Sequence, residues 1–434
     1  MPRDHGDAVR AAASRAGAYR WRICALLFAA TAINYVDRQM IGVLKPTMQA
    51  ELGWRESQYA DIVFWFQFAY AAGYLAMGRV VDVAGARLGY AISFTLWTLA
   101  HMAHGLVRGT TEFVLVRLAL GVGESGNFPA GLKAVAEWFP QRERALAAGI
   151  FNAGANVGAV LTPLIVPAIT LAYGWRMAFI ATGALSFVWL ISWMVVYRRP
   201  AERPRVDAAE LALIEGEAGP AGARTTWREL FGLRETWALA IAKFLTDPIW
   251  WMYLFWLPDF LGKRYGLNLS TFGAPLVAIY LMSDIGSVFG GWASSRLLMR
   301  GASPNRARKT VMLVCAIAVT PILFVQWVDR LWLATLLIGI ATAAHQAFSA
   351  NLLTLPSDLF PRRAVGSVVG IAGTAGALGG MAMAKYAGFV LEAAGSYAPI
   401  FAVAGSAYAV ALLALHLLSP RLAPVEGALS ESWI

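Results

Sequence analysis

The feature that most constrains this chain is a series of apolar runs of nearly constant length. A helix that crosses a bilayer needs about 20 apolar residues. Runs of that size fall at 23–44, 59–79, 88–107, 112–136, 145–168 and 175–197, and then at 238–261, 272–295, 309–328, 331–355, 365–391 and 397–418. A polar stretch, 198–236, separates the sixth run from the seventh. Hydrocarbon offers no partner to backbone N–H and C=O groups, so each run must satisfy its own and is read as a helix. The expected fold class is an all-α membrane protein of twelve transmembrane helices, arranged as two pseudo-symmetric six-helix halves. The expected division is a tail to residue 22, a bundle over 23–197, a linker over 198–236, a second bundle over 237–418 and a tail over 419–434.

Composition agrees with that reading. Of 434 residues, 58% are hydrophobic and 14% charged, whereas a soluble domain averages about 25% charged residues. The formal charge of +10 does not indicate nucleic-acid binding, because the basic residues sit in short loops between apolar runs and form no single patch. Cys24 and Cys315 are far apart, without metal-ligand spacing, and read as packing thiols. No His/Cys cluster, nucleophile motif or phosphate loop is present, so neither an enzyme, a metal centre nor a cofactor is expected.

Loop charge sets the orientation. With the N-terminus inside, one side collects Arg3, Arg10, Arg15, Arg20, Arg22, Arg79, Arg87, Arg142, Arg144, the arginines of 198–236, and Arg296, Arg300, Arg306, Arg308, Lys309, Arg362, Arg363 and Arg421. The other collects Lys45, Arg55, Arg108, Arg176, Lys263, Arg264 and Arg330. The excess is roughly threefold, which places both termini in the cytoplasm. The basic tail is read as retained, since the first run is too long for a signal-peptide core and no small-residue cleavage site follows it. Within the linker, Asp207 to Glu217 has the pattern of a short amphipathic helix on the membrane surface.

The two halves echo each other. Phe139-Pro140-Gln141-Arg142 matches Phe360-Pro361-Arg362-Arg363 at an offset of 221, and the same offset pairs Gly149-Ile150 with Gly370-Ile371, Gly158 with Gly379, and Glu124 with His345. An internal duplication is how many transporters build a midplane site between rocking halves.

Charge inside the apolar runs marks the chemistry. Arg117 and Glu124 lie seven residues apart in the fourth run, two turns on one helix face. A single ion at a span centre costs about 2.5–3.5 kcal/mol, so a retained pair is read as functional. Asp37 lies about fourteen residues into the first run and Glu124 about twelve into the fourth. Both depths are near the midplane at about 1.5 Å per residue. Asp37, Glu124, Arg38 and Arg117 are therefore expected in one cavity. Burial raises a carboxylate's pKa and a neighbouring arginine lowers it, a competition that a substrate anion could tip by occupying the arginine. A static ion-pair network is the plainer alternative. After the second run, Gly78-Arg79-Val80-Val81-Asp82-Val83-Ala84-Gly85-Ala86-Arg87 has the spacing G-x-x-x-D-x-x-G-x-R. Gly78 and Gly85 would allow close packing, and Asp82 would cap or accept from Arg87 or an opposite helix to hold an inner gate. Its counterpart, Gly290 to Gly301, has Ser294 and Ser295 where the acid would stand.

That loop, with Asn34-Tyr35-Val36-Asp37-Arg38 and Arg117 with Glu124, resembles the anion:cation symporter family of the major facilitator superfamily over nearly the whole chain. Three further stretches resemble the bacterial hexuronate transporters of that family: Trp138-Phe139-Pro140 with Gly149 to Gly158, Lys243 to Trp251, and Ala344 to Asn351. The resemblance implies the major facilitator fold, with Asp37 and Glu124 as proton-titrating groups and Arg38 on the substrate carboxylate. It also implies that Arg117 tunes Glu124 and that Tyr35 and Tyr70 line the cavity. Galactonate-type members have a glutamine where this chain has Ala155 and an asparagine where it has the small residues Ala372 to Gly376. These departures argue against galactonate, and Asn152 and Asn156 are candidates for the hydroxyl contacts.

In the second half Trp250, Trp251, Tyr253 and Trp256 could pack on a sugar face or simply line an interface. His345, Gln346, Ser349 and Asn351 lie mid-span. Of these residues Trp251, His345, Gln346 and Asn351 join the candidate substrate contacts. The expected function is proton-coupled symport of a sugar acid, a hexuronate first, by a monomer that meets protons, lipid and a small organic anion. Another organic anion (an aldonate, aromatic acid or dicarboxylate) and an exporter or antiporter remain alternatives. The expected location is the bacterial inner membrane.

Overall fold

A computed structural model describes residues 19–202, 210, 211, 214 and 227–425. The expected tails therefore lie largely outside the described residues, as does most of the helix expected over 207–217. Among the described residues every long element is a helix and none is a strand.

The first apolar run lies in a helix Tyr19–Leu52. The second and third lie in one assigned helix, Glu56–Ala103, which bends at Gly85, where φ is 78° and ψ 165°. An L side chain rarely adopts that conformation, so glycine is what lets the chain turn between these runs. The fourth run is broken into Thr110–Glu124 and Asn127–Trp138, leaving Glu124 as the last residue before the break. Gln141–Tyr173, Trp175–Val196, Arg234–Tyr265 and Gly273–Met299 follow. The ninth run is Pro304–Val319 continued by the 3-10 helix Thr320–Trp327. Leu331–Leu359, Arg362–Ala394 and Ala398–Leu418 complete the order. Seven of these segments combine spanning length with high hydropathy. The first run is less apolar because it carries Asp37, Arg38 and Lys45, the seventh because it carries Lys243, Asp247 and Asp259, and the fourth is too short once broken.

The repeat found in the sequence reappears as local geometry. Phe139 ends its helix with φ −118°, ψ 135° and an N–H on the Val135 carbonyl. Its counterpart Phe360 has φ −114°, ψ 147° and an N–H on the Pro356 carbonyl. Proline cannot continue either ladder, and it holds the preceding residue extended.

Of the described residues, those within Met1–Met40, Ala69–Thr162 and Ala172–Ala221 form one compact unit, and those within Ile41–Phe68, Pro163–Leu171 and Gly222–Ile434 form another. Small residues bring backbones together inside each, the usual way membrane helices pack. In the first unit, Gly154 and Gly158 lie against the carbonyls of Phe28 and Ala32, and a Cβ on Gly123 would stand 2.6 Å from the Trp97 backbone nitrogen. In the second, Gly286 and Gly290 lie against Ala343 and Ala347, and Gly379 lies against Phe244 and Pro248.

Candidate functional site

The first unit holds a buried ionic cluster. Arg38, on the first helix, donates from Nε to Glu124 Oε2 at 2.8 Å and from Nη2 to Asn34 Oδ1 at 3.1 Å. The rings of Tyr35 and Tyr70 flank its guanidinium at 5.0 and 4.7 Å. Arg38 and Glu124 are 2% and 0% exposed. A charge-assisted bond of this kind is roughly twice as strong as a neutral one, and each ion would be costly to bury alone. Asn34 and Tyr35 meet Arg38 because they lie one turn before it on the same helix.

Asp37 is 1% exposed. Its Oδ1 lies 3.3 Å from Nε2 of His101, whose Nε2 is also 2.8 Å from Thr182 Oγ1. Arg117, likewise buried, acts electrostatically on both Asp37 and Glu124. The four intramembrane charges singled out in the sequence therefore come together, with Arg117 acting on Glu124 and Arg38 bonded to it. Arg38 forms an ion pair with Glu124 at 2.8 Å. His101 and His104 are functional candidates that the sequence reading passed over. The signal available was two imidazoles three residues apart inside an apolar run, in a chain with 5 histidines.

The remaining first-unit candidates are spread more widely. Tyr35 and Tyr70 are half-buried beside Arg38, Asn156 is half-buried and Asn152 is exposed. In the loop motif, Gly78 leaves open space and Gly85 makes the turn. Asp82, 70% exposed at its side chain, has Lys133 Nζ at 3.6 Å. Arg87 donates to the Met194 carbonyl at 2.6 Å. Asp82 is thus paired to an opposite helix, and Arg87 to a backbone carbonyl.

In the second unit His345 is buried, with Nδ1 2.7 Å from the Tyr408 hydroxyl and its ring stacked on Trp250 at 5.5 Å. Trp251 is half-buried, stacks on Phe255 at 5.9 Å and lies beside Gly380 and Gln67. Gln346 is half-buried. Lys243 pairs with Asp247 at 2.7 Å. Asn351 stands apart from these rings. Its amide donates to the Gly290 and Ala347 carbonyls at 3.1 and 2.9 Å, and its oxygen accepts from Arg308 at 3.4 Å. Arg308 also bonds Ser294 and Asp358. Arg308 thus links Ser294, in the second loop motif, to Asp358. A further ionic group, with Glu56 and Asp259, surrounds Lys45 in the second unit. Among the described residues no set of three His, Cys, Asp or Glu side chains is placed to hold a metal ion.

Comparison with known proteins accords with these features. Residues 27–384 match the Major Facilitator Superfamily. The chain is 32% identical to the hexuronate transporter of Escherichia coli (strain K12) over 391 residues, covering 88% of this chain and 90% of that one. It is 34% identical to the galacturonate transporter of Dickeya chrysanthemi over 279 residues, covering 63% and 81%. Among solved structures, that of a D-xylose-proton symporter aligns with a TM-score of 0.76 at 14% identity, covering 93% of this chain and 99% of that one, a likeness of fold. The chain is an integral membrane protein and not an enzyme, and it belongs to the major facilitator superfamily of transporters.

Proposed function

We propose that this protein is a proton-coupled symporter that imports a sugar acid, a hexuronate before others, across the bacterial inner membrane. It works by alternating access of two six-helix bundles, 23–197 and 237–418, joined by the linker 198–236, with both termini in the cytoplasm. Similarity to the hexuronate and galacturonate transporters supports the substrate class. The observation that carries the mechanism is the buried Arg38–Glu124 pair with Asp37 on the same helix turn as Arg38. An anion that docks on Arg38 takes the place of the Glu124 carboxylate. The displaced carboxylate, in a site sealed from water, is then most stable with a proton. Asp37 takes a second proton, and neutralising both acids lowers the cost of closing the site around substrate. Tyr35 and Tyr70 orient the guanidinium. Asn152, Asn156, Trp251, His345 and Gln346 supply contacts to the sugar, and the Gly78–Arg87 loop closes the inner side.

Uptake of labelled sugar acids into proteoliposomes, with and without an inward proton gradient, tests this reading. Concentrative galacturonate or glucuronate uptake that collapses with the gradient is the expected result. Accumulation of other organic anions but no hexuronate would overturn the substrate class, and accumulation that ignores the gradient would overturn the coupling.

A further inference from the structure

We propose that His101 is the relay through which Asp37 gains and loses its proton, and that Thr182 holds the imidazole in the tautomer this requires. The inference rests on the proton coupling proposed above. It begins from hydrogen-bond bookkeeping at one nitrogen. Thr182 Oγ1 donates its single proton to the Ala178 carbonyl at 2.8 Å. It therefore has none to give His101, and accepts at 2.8 Å from Nε2–H. The same nitrogen lies 3.3 Å from Asp37 Oδ1, which has no hydrogen-bond partner of its own among the described residues, so a small turn of the ring brings the N–H onto the carboxylate. The second ring nitrogen, Nδ1, is left with its lone pair, and it is buried without a hydrogen-bond partner.

That arrangement can pass a proton in one direction at a time. A proton that binds Nδ1 makes the imidazolium. The Nε2–H bond then breaks, and its proton forms an O–H bond on Oδ1 of Asp37. The imidazole is neutral again, now with hydrogen on Nδ1, and one proton has moved with no other reactant. Release runs the same steps backwards and restores Nε2–H.

A second imidazole lies next to the relay. His104 lies one turn further along the helix, with its ring centroid 6.3 Å from that of His101. Its Nδ1 is 2.8 Å from the Ala100 carbonyl, which can only accept, so Nδ1 carries the hydrogen and Nε2 has the lone pair. Just beyond, the chain turns at 104–106, and Leu106 is 73% exposed. The two imidazoles thus occupy the stretch of helix between Asp37 and the turn at 104–106. The charged and titratable groups facing His101 are Asp37 from the first helix, Arg117 from the fourth run and His104 from its own. The sixth run presents Thr182 and Phe179, neither of which carries charge.

A merely orienting histidine would hold Asp37 in place without setting how fast it titrates. The test therefore reads rate on the full chain in lipid nanodiscs. The protonated Asp37 carboxyl is identified by infrared spectroscopy as the C=O band missing from Asp37→Asn, and its rise is followed after an acid jump. His101→Gln keeps an amide N–H for Thr182 but cannot carry a proton, so the band should rise at least about tenfold more slowly to the same final height. Thr182→Val, which frees the tautomer, should also slow it. In proteoliposomes, His101→Gln should lose gradient-driven galacturonate uptake in the same proportion while counterflow exchange persists. A wild-type rate in both variants overturns the relay, as does the absence of any band lost in Asp37→Asn. If the wild type takes up no sugar acid, the proposed function fails, and the infrared rates still decide the role of His101.

Discussion

Lys45 Nζ lies 2.7 Å from Asp259 Oδ2, and the lysine side chain is fully buried. The same nitrogen is 2.7 Å from Glu56 Oε2. Lys263 closes the set at 2.6 Å from Glu56 and 3.0 Å from Asp259, and the Tyr397 hydroxyl also donates to Asp259. Two cations and two carboxylates thus balance, so the group as a whole is neutral. Lys45→Met would leave two carboxylates together around one half-exposed lysine. Breaking a buried pair from one side costs about 3–5 kcal/mol, whereas replacing both members by apolar groups is often neutral. Lys45→Met is expected to lower the thermal unfolding midpoint in detergent, and the double change Lys45→Met, Asp259→Leu to recover much of the loss. Additive losses in that double-mutant cycle would show that the two residues are not coupled.

The Arg38–Glu124 pair separates binding from coupling. Hydrogen bonds to charged groups contribute about 1.5–3 kcal/mol each, so Arg38→Ala should weaken substrate binding roughly 10–100-fold. Glu124→Gln keeps the size of the side chain and an acceptor for Arg38, but removes the proton site. It should leave counterflow exchange standing and abolish accumulation driven by a proton gradient. Equal loss of both activities in Glu124→Gln would place the residue in binding, not in coupling.

These two clusters differ in how legible they were. Arg117, Glu124, Asp37 and Arg38 stood out because a charge in an apolar run is expensive, and the helix rise put Asp37 and Glu124 near mid-depth. Who pairs with whom depends on the rotation and tilt of neighbouring helices, which the runs do not encode, so the Arg38–Glu124 ion pair was not legible in them. Lys45, Glu56 and Lys263 sit at run ends, where a charge ordinarily faces water, and Lys45 was counted with the loop charges for that reason. Only the packing of helix ends inside the second unit reveals its burial. His101 and His104 were passed over because a neutral histidine barely disturbs an apolar run. The repeat was legible at Phe139 and Phe360 because proline dictates local geometry whatever the tertiary contacts.

The paired glycines of the repeat carry a second consequence. Gly158 lies against the first helix at Ala32, and Gly379 lies against the seventh run at Phe244 and Pro248. Each position is a close backbone approach in its own unit, and in both a Cβ would collide with a carbonyl oxygen. Overpacking typically costs about 1–3 kcal/mol. Gly158→Val and Gly379→Val should each lower the unfolding midpoint, while valine at Gly149 or Gly370, where an added Cβ would meet nothing within 4 Å, should do so far less. Unfolding curves of the four variants in one detergent provide the comparison.

Asn351 supplies the sharpest contrast between sequence and structure. Its position in a polar, mid-span stretch made it a candidate substrate contact, yet both ends of its amide are already engaged. The nitrogen holds the Gly290 and Ala347 carbonyls, and the oxygen holds Arg308, which also grips Ser294 and Asp358. A substrate hydroxyl would have to displace bonds that tie two helices together. Asn351→Ala leaves Gly290's carbonyl without that donor in a buried seam, at about 1–3 kcal/mol. It should therefore lower stability and leave the KM for the transported acid within about twofold, since a change of 1.4 kcal/mol in binding would already be tenfold. Trp251→Ala, at a half-buried ring, should do the reverse, raising KM with little effect on the unfolding midpoint. A large KM increase in Asn351→Ala with an unchanged midpoint would return that residue to the substrate site.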